Sequence, residues 1–331
     1  MNMRQRKRTA TAEIGTHGRT ATTPKRIKTE ASKALSDVLD NLSSAPPYSV
    51  KTVGDVSTPN LQSRKLAAYS QYAASSPFPD FLRPTPAECK LALRILSSLH
   101  GTRNRPATVT ASTTRAGCGD SPSVVDSLVR TILSQNTSDA NSSRAKRSMD
   151  ATYGRSDHWE AIVAGGVEKL QEAIACGGLS KVKSRVIMQI LVQVHERFGE
   201  YSLEHLRGLA NDEAMAELLS FKGVGPKTAS CVLLFCLGRE SFAVDTHVYR
   251  ISGLLGWRPD KAGREETARH LDVRIPDEDK YALHVLMVTH GRGCGACRAG
   301  GRTTGSCELR QAFKKGQRTG PACDRSVDLK S

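Results

Sequence analysis

From Pro122 onward the chain runs through one helix-period segment after another, and no stretch carries the alternation of a strand with turn support. In "SPSVVDSLVRTILSQNTS", after Ser121 and Pro122, residues Val125, Leu128, Val129, Ile132 and Leu133 fall on one helical face. "SKVKSRVIMQILVQVHERFG" does the same with Val182, Val186, Ile187, Ile190 and Val194, and Gly199 is a C-cap candidate. "SDANSSRAKRSMDATYG" reads as a more polar helix, and "HWEAIVAGGVEKLQEAIACGG" as one or two short ones. "NDEAMAELLS", "PKTASCVLLFCLG", "DTHVYRISGLLGW" and "DEDKYALHVLMVTHG" continue the series. Upstream, Thr85 as N-cap, Pro86 at the first position and Glu88 three residues after the cap open another helix. Between it and Pro122, "GTRNRPATVTASTTRAGCGDSP" has no period and reads as a long loop. The expected class is all-α, with many short helices around shared cores.

Two of these helices meet at "LLSFKGVGPKTASCVLLF", a tight turn with two glycines followed by proline and lysine. This is the pattern of a helix-hairpin-helix. Gly223 and Gly225 permit backbone conformations closed to other residues and let a ligand approach closely. Pro226 suits the first helical turn. The unpaired N–H groups there favour a phosphate, and such contacts position nucleic acid without reading its sequence. An ordinary αα-hairpin has the same outline. Lys227 stands where the helix dipole disfavours a cation. It could contact phosphate, lie on the surface, or have its pKa depressed into a nucleophilic amine. Asp245 follows an apolar run and precedes a helix, which makes it an N-cap. The separation of eighteen positions leaves room for one helix and a return turn, enough to bring Asp245 beside Lys227.

Charge narrows the partners. The chain of 331 residues has 48 Lys and Arg against 33 Asp and Glu, a net charge of +15. Such a balance favours polyanions, nucleic acid first. No apolar run reaches the roughly 20 residues of a membrane span. Residues 1–76 are rich in Ser, Thr, Ala, Lys and Arg and poor in aromatics, so a disordered basic tail is expected. The first residues do not have the form of a secretory signal, whereas a mitochondrial transit peptide stays open. "PKRIK" at Pro24–Lys28 leans nuclear. Nine cysteines without a secretory signal fit a reducing compartment.

"FKGVGPKTASCVLLFCLGRESFAVDTHVYRI" closely resembles the helix-hairpin-helix-Gly/Pro-Asp DNA glycosylases, above all their endonuclease III branch. The family pattern is Leu-Pro-Gly-Val-Gly-x-Lys-Thr-Ala followed by Val-Asp-Thr-His. A looser match runs from about Phe78 to Phe313, through "LVRTILSQNTSDA" and "GLSKVKSRVI". The resemblance implies two all-α subdomains with a DNA cleft between them. One spans 120–238 and contains the hairpin; the other joins 78–115 to 241–318, and 319–331 is a tail. It implies a bifunctional DNA N-glycosylase and abasic-site lyase of base-excision repair. That enzyme would be monomeric, act on double-stranded DNA with base lesions, and excise oxidised pyrimidines. Lys227 matches the nucleophile that forms a Schiff base, and Asp245 the carboxylate that assists it. Gln135 matches the residue filling the gap in the duplex. Lys181 and Lys183 lie where the family contacts the DNA backbone, with a solvated basic face as the alternative. Lys222, Gly223, Val224, Gly225 and Thr228 form the DNA-binding hairpin. Phe221-Lys222 replaces the family's Leu-Pro, and Lys222 adds charge at the phosphate site. His247 is expected to make a local structural hydrogen bond.

The larger departure is C-terminal. The family's iron–sulfur loop is Cys-x6-Cys-x2-Cys-x5-Cys, whereas here Cys294-x2-Cys297-x9-Cys307 is followed by a distant Cys323. A four-iron cluster, a zinc ion and no metal all remain open. Other functions also remain open: a glycosylase for oxidised guanine or mismatches, a non-catalytic DNA-binding module, and a metal-bound interaction protein. Lys227 argues against the adenine-excising type, which lacks that lysine.

Overall fold

The structure, a computed structural model, describes residue 67 and residues 75–301 and 306–314. The expected tail of 1–76 lies outside them save for residues 67, 75 and 76, as do 319–331 and Cys323. Eleven α-helices and no strand occur among the described residues. They are α1 Pro86–His100, α2 Val124–Ser134, α3 Asp139–Tyr153, α4 Trp159–Ala173, α5 Ser180–Phe198, α6 Asn211–Ser220, α7 Pro226–Cys231, α8 Thr246–Leu255, α9 Arg264–Arg274, α10 Asp277–Gly293 and α11 Glu308–Lys314.

Local chemistry sets the ends. At α1 the Glu88 N–H donates to the Thr85 hydroxyl at 3.2 Å, and the Thr85 N–H to the Glu88 carboxylate at 2.9 Å, a complete capping box. α2 starts two residues later than Ser121 and Pro122 suggest. Ser123 is its cap, accepting from the Asp126 N–H, while the Ser121 hydroxyl accepts from the Ser123 N–H. α4 is broken at Gly166, whose φ of 77° no helix contains, so the segment is two short helices end to end. α7 passes into a π turn over Val232–Cys236, where the Leu237 N–H reaches the Val232 carbonyl at 3.0 Å.

Two apolar cores form. The first is drawn from α2 to the π turn and includes Leu128, Ile132, Met149, Ile162, Leu170, Ile187, Phe221 and Val224, all nearly or fully buried. The second combines α1 with α8–α11: Leu96, Phe242, Ile251, Trp257, Leu283, Leu286, Leu309 and Phe313. Polar ties close the second core across the sequence. Lys90 on α1 donates to Asp279 on α10 at 2.7 Å, and Ser76 meets His270 on α9 at 2.7 Å.

The aperiodic segment between α1 and α2 is pinned from both sides. Arg105 makes a two-pronged pair with Glu240 at 2.6 and 3.1 Å. Buried Arg130 donates to the carbonyls of Ser112 and Arg115 at 3.2 and 2.7 Å, while its Nε pairs with Asp126 at 2.7 Å. Ser127 holds the Cys118 carbonyl at 2.8 Å. The segment is thereby laid along α2 and brings Cys118 under α7. No helix among the described residues is long and apolar enough to cross a membrane.

Candidate active site

α6, the turn 221–225 and α7 make the helix-hairpin-helix. Gly223 has φ 90°, and a Cβ there would sit 2.6 Å from a methyl of Val186, so backbone conformation and close packing both require glycine. Gly225 differs. Its φ is −113°, and a Cβ would meet nothing within 4 Å. Glycine at 225 is thus not demanded by the chain's own packing, and it leaves the turn bare on its outer side. Lys222 is exposed, Val224 and Thr228 are buried, and Lys227 is half-buried at the start of α7.

Asp245 caps α8. One carboxylate oxygen accepts from the His247 and Val248 N–H groups, both at 2.8 Å. Its charge also acts on Lys227. A third group enters at Cys231, one turn along α7. The hydrogen bond from Cys118, followed by the ammonium of Lys227 and by His284, pulls the Cys231 thiol down to about 5 against the opposing effect of burial. Cys118 moves up in return. The Lys227 ammonium is raised, chiefly by the Cys231 charge, with Cys118 and Asp245 adding to it and burial opposing. Of the three readings of Lys227, the depressed amine is the one this direction opposes. The pull of Cys231 and Asp245 outweighs burial and holds Lys227 in its protonated form.

Gln135 ends α2, and its amide donates to the Thr228 hydroxyl at 3.0 Å, which fixes it beside the lysine's helix. Lys181 is exposed on α5. Lys183 corrects both readings made of it. It is 3% exposed, neither on a solvated face nor free to reach a DNA backbone. Its ammonium donates to the Leu133 carbonyl at 2.7 Å and the Gly177 carbonyl at 3.2 Å, and burial lowers its pKa. Helical spacing turns it inward, where it bolts the end of α2 to the loop before α5. On that loop Leu179 has φ 54° and is 53% exposed. Asn136, next to Gln135, is the other non-glycine residue with positive φ among the described residues. An exposed apolar side chain on left-handed backbone is unfavourable on two counts, and such strain collects at functional sites.

His247 makes the expected local contact: its Nδ1 lies 3.1 Å from Arg250 Nη2. Arg250 reaches further, donating to the Gly291 carbonyl at 2.9 Å and the Cys297 carbonyl at 2.7 Å. It therefore joins α8, which Asp245 caps, to the cysteine loop. There Cys294, Cys297 and Cys307 converge, and His290 joins them, with all four ligand atoms within 4.8 Å of one another. This group could hold a metal ion.

The description "HhH-GPD superfamily base excision DNA repair protein" matches residues 129–277. An Arabidopsis thaliana protein named "Putative DNA glycosylase" is 39% identical over 255 residues, covering 72% of this chain and 86% of the relative. The chain belongs to the HhH-GPD superfamily of DNA glycosylases. Endonuclease III of Sulfolobus acidocaldarius is 27% identical over 199 residues, 60% of this chain and 84% of the relative. In three dimensions the chain is similar to endonuclease III in a trapped covalent intermediate with DNA. The TM-score is 0.55 at 24% identity, covering 71% of this chain and 99% of that one, which establishes the all-α helix-hairpin-helix fold.

Four residues of this HhH-GPD chain escape a reading of the sequence alone. Cys118 lies in an aperiodic segment. Cys231 looks like another apolar position of α7. Leu179 is an ordinary leucine until its backbone is seen. His290 belongs to "HGR", and its spacing of three residues before Cys294 was the one available signal.

Proposed function

We propose that the chain is a bifunctional DNA N-glycosylase and abasic-site lyase of base-excision repair, acting on oxidised pyrimidines in double-stranded DNA. The observation that carries this reading is Lys227 in the first turn of the hairpin's second helix, with Cys231 one turn on and the Asp245 cap of α8 close enough for its charge to act on the lysine. A lysine that must attack carbon needs somewhere to leave its proton, and both anions are acceptors at hand.

The target nucleotide is flipped out of the stack into the cleft between the two helical subdomains. Lys227 passes its proton to the anionic pair, and its nitrogen bonds to C1′ of the deoxyribose. The bond from C1′ to the base breaks, and the base leaves with the bonding electrons and a proton. Asp245 opposes the positive charge that builds on the sugar. Ring opening converts the amine adduct to a Schiff base. Loss of a C2′ proton then expels the 3′ phosphate, and water releases Lys227.

The outer residues fit the same task. Lys181, Lys222 and the bare turn Gly223–Gly225 would contact phosphates, with Val224 buried beneath them. Gln135, held by Thr228, would occupy the space left in the duplex. Leu179 is placed to insert as an apolar wedge beside it, since Lys183 ties its loop to the end of α2. The basic cluster at Pro24–Lys28 suits nuclear work on DNA.

The test is borohydride trapping on end-labelled duplexes containing thymine glycol, oxidised guanine or a plain abasic site, with wild type beside Lys227→Ala. A covalent adduct on thymine glycol that the variant loses entirely is expected. Strongest trapping on oxidised guanine would reassign the substrate. No adduct on any duplex, with binding intact, would overturn the lyase.

A further inference from the structure

The cysteine loop poses its own question, independent of the reaction at Lys227. The fold family implies a four-iron cluster. In such a cluster each thiolate sits on its own iron, so the four sulfurs stand roughly 6 Å apart. Here the Cys297 and Cys307 sulfurs are 3.6 Å apart, and Cys307 Sγ lies 3.4 Å from His290 Nε2. The Cys294 sulfur joins them, and no ligand atom of the four is more than 4.8 Å from another. A cubane has no room between them. A single ion does. With zinc–sulfur bonds of about 2.3 Å and a zinc–nitrogen bond of about 2.0 Å, tetrahedral geometry puts sulfurs about 3.8 Å apart and sulfur from nitrogen about 3.5 Å.

We infer that His290, Cys294, Cys297 and Cys307 form a mononuclear Cys3His zinc site that replaces the family's cluster. The spacing, His290-x3-Cys294-x2-Cys297-x9-Cys307, contains the close pair typical of zinc loops. The second layer is in place too. His100 Nε2 lies 2.9 Å from His290 Nδ1, so a proton on Nδ1 leaves Nε2 free to ligate and fixes the plane of the ring. His290, Cys297 and Cys307 are 2%, 1% and 5% exposed. Four protein ligands close the coordination sphere and leave no position for water, so the role is structural. The ion fastens the end of α10, the start of α11 and, through the Cys297 carbonyl, Arg250 of α8. The four ligands fill the site without Cys323, which lies outside the described residues.

The experiment is elemental analysis, with an inorganic sulfide assay, of the full chain purified without oxygen from cells supplied with both iron and zinc. One zinc per chain and no sulfide are expected. Replacement by cobalt(II) should give the visible bands of a tetrahedral ion and thiolate charge-transfer bands in the near ultraviolet. Cys323→Ser should keep the full zinc content. His290→Ala should lose most of it, and His290→Cys should restore it with a cobalt spectrum shifted towards four thiolates, which separates ligand loss from misfolding. Iron with matching sulfide would overturn the proposal. Loss of metal in Cys323→Ser but not in His290→Ala would also overturn it. So would a folded, metal-free chain with Cys297 and Cys307 joined as a disulfide.

Discussion

The two cores are built differently. The core around α2–α7 comes from one continuous stretch, and its buried polar groups, Arg130 with Asp126 and Lys183 with two carbonyls, tie neighbouring segments of that stretch. The core around α1 and α8–α11 is stitched from two stretches more than a hundred residues apart in sequence. Closing such a loop costs entropy before any contact is made, and this half carries the cross-links that offset it: Lys90 with Asp279, Ser76 with His270, His100 with His290, and the cysteine loop. The proposed nucleophile stands on the first body and its carboxylate on the second. A body drawn from one stretch holds the hairpin with ties between neighbouring segments, whereas the position of Asp245 depends on ties that span the sequence.

Metal removal should break the contrast most visibly. Treating the full chain with a strong chelator under reducing conditions should open the second half to protease, with cuts between residues 242 and 314, while the first stays protected. The drop in Tm should reach several degrees, given roughly 2–4 °C per kcal/mol for a chain of this size. Simultaneous digestion of both halves would show that they are not separately stabilised.

The hairpin offers a matched pair at smaller scale. Gly223→Ala forces a Cβ against Val186 on left-handed backbone, and should cost about 1–3 kcal/mol in urea unfolding. Gly225→Ala meets empty space and should leave unfolding within about 0.5 kcal/mol of wild type. Its effect should appear instead as weaker duplex binding in a filter or anisotropy titration. Unchanged binding would remove the turn from the DNA interface.

The smallest effect concerns Cys231. Its negative charge is the first cause of the raised Lys227 pKa, and Cys231→Ser removes that charge. The lysine pKa then falls, so more neutral amine is present at a given pH. The rising limb of borohydride trapping against pH should therefore move to lower pH in the variant. A limb that stays in place, or moves up, would exclude the thiolate from the setting of Lys227.

Much of this was legible in the sequence because it is local. The capping box at Thr85 and Glu88, the αα turn at Gly223–Gly225 and the Asp245 cap depend on residues within one turn of each other. Periodicity located the helices, and missed the start of α2 by two residues because Ser121 and Ser123 are both able caps. Lys183 was misread because a lysine on a helix is usually solvated, and nothing local reveals the two carbonyls that receive it.

By itself the sequence determined an all-helical chain, the hairpin with Lys227, the carboxylate eighteen residues on, and the positive charge that suits DNA. These follow from backbone preferences and composition, which act over a few residues or over the whole chain. Only the tertiary structure decided the neighbours of Lys227, the inward turn of Lys183, the strain at Leu179 and the histidine that joins the three cysteines. Each depends on groups brought together from distant segments, where burial and charge act through space and sequence separation no longer measures distance.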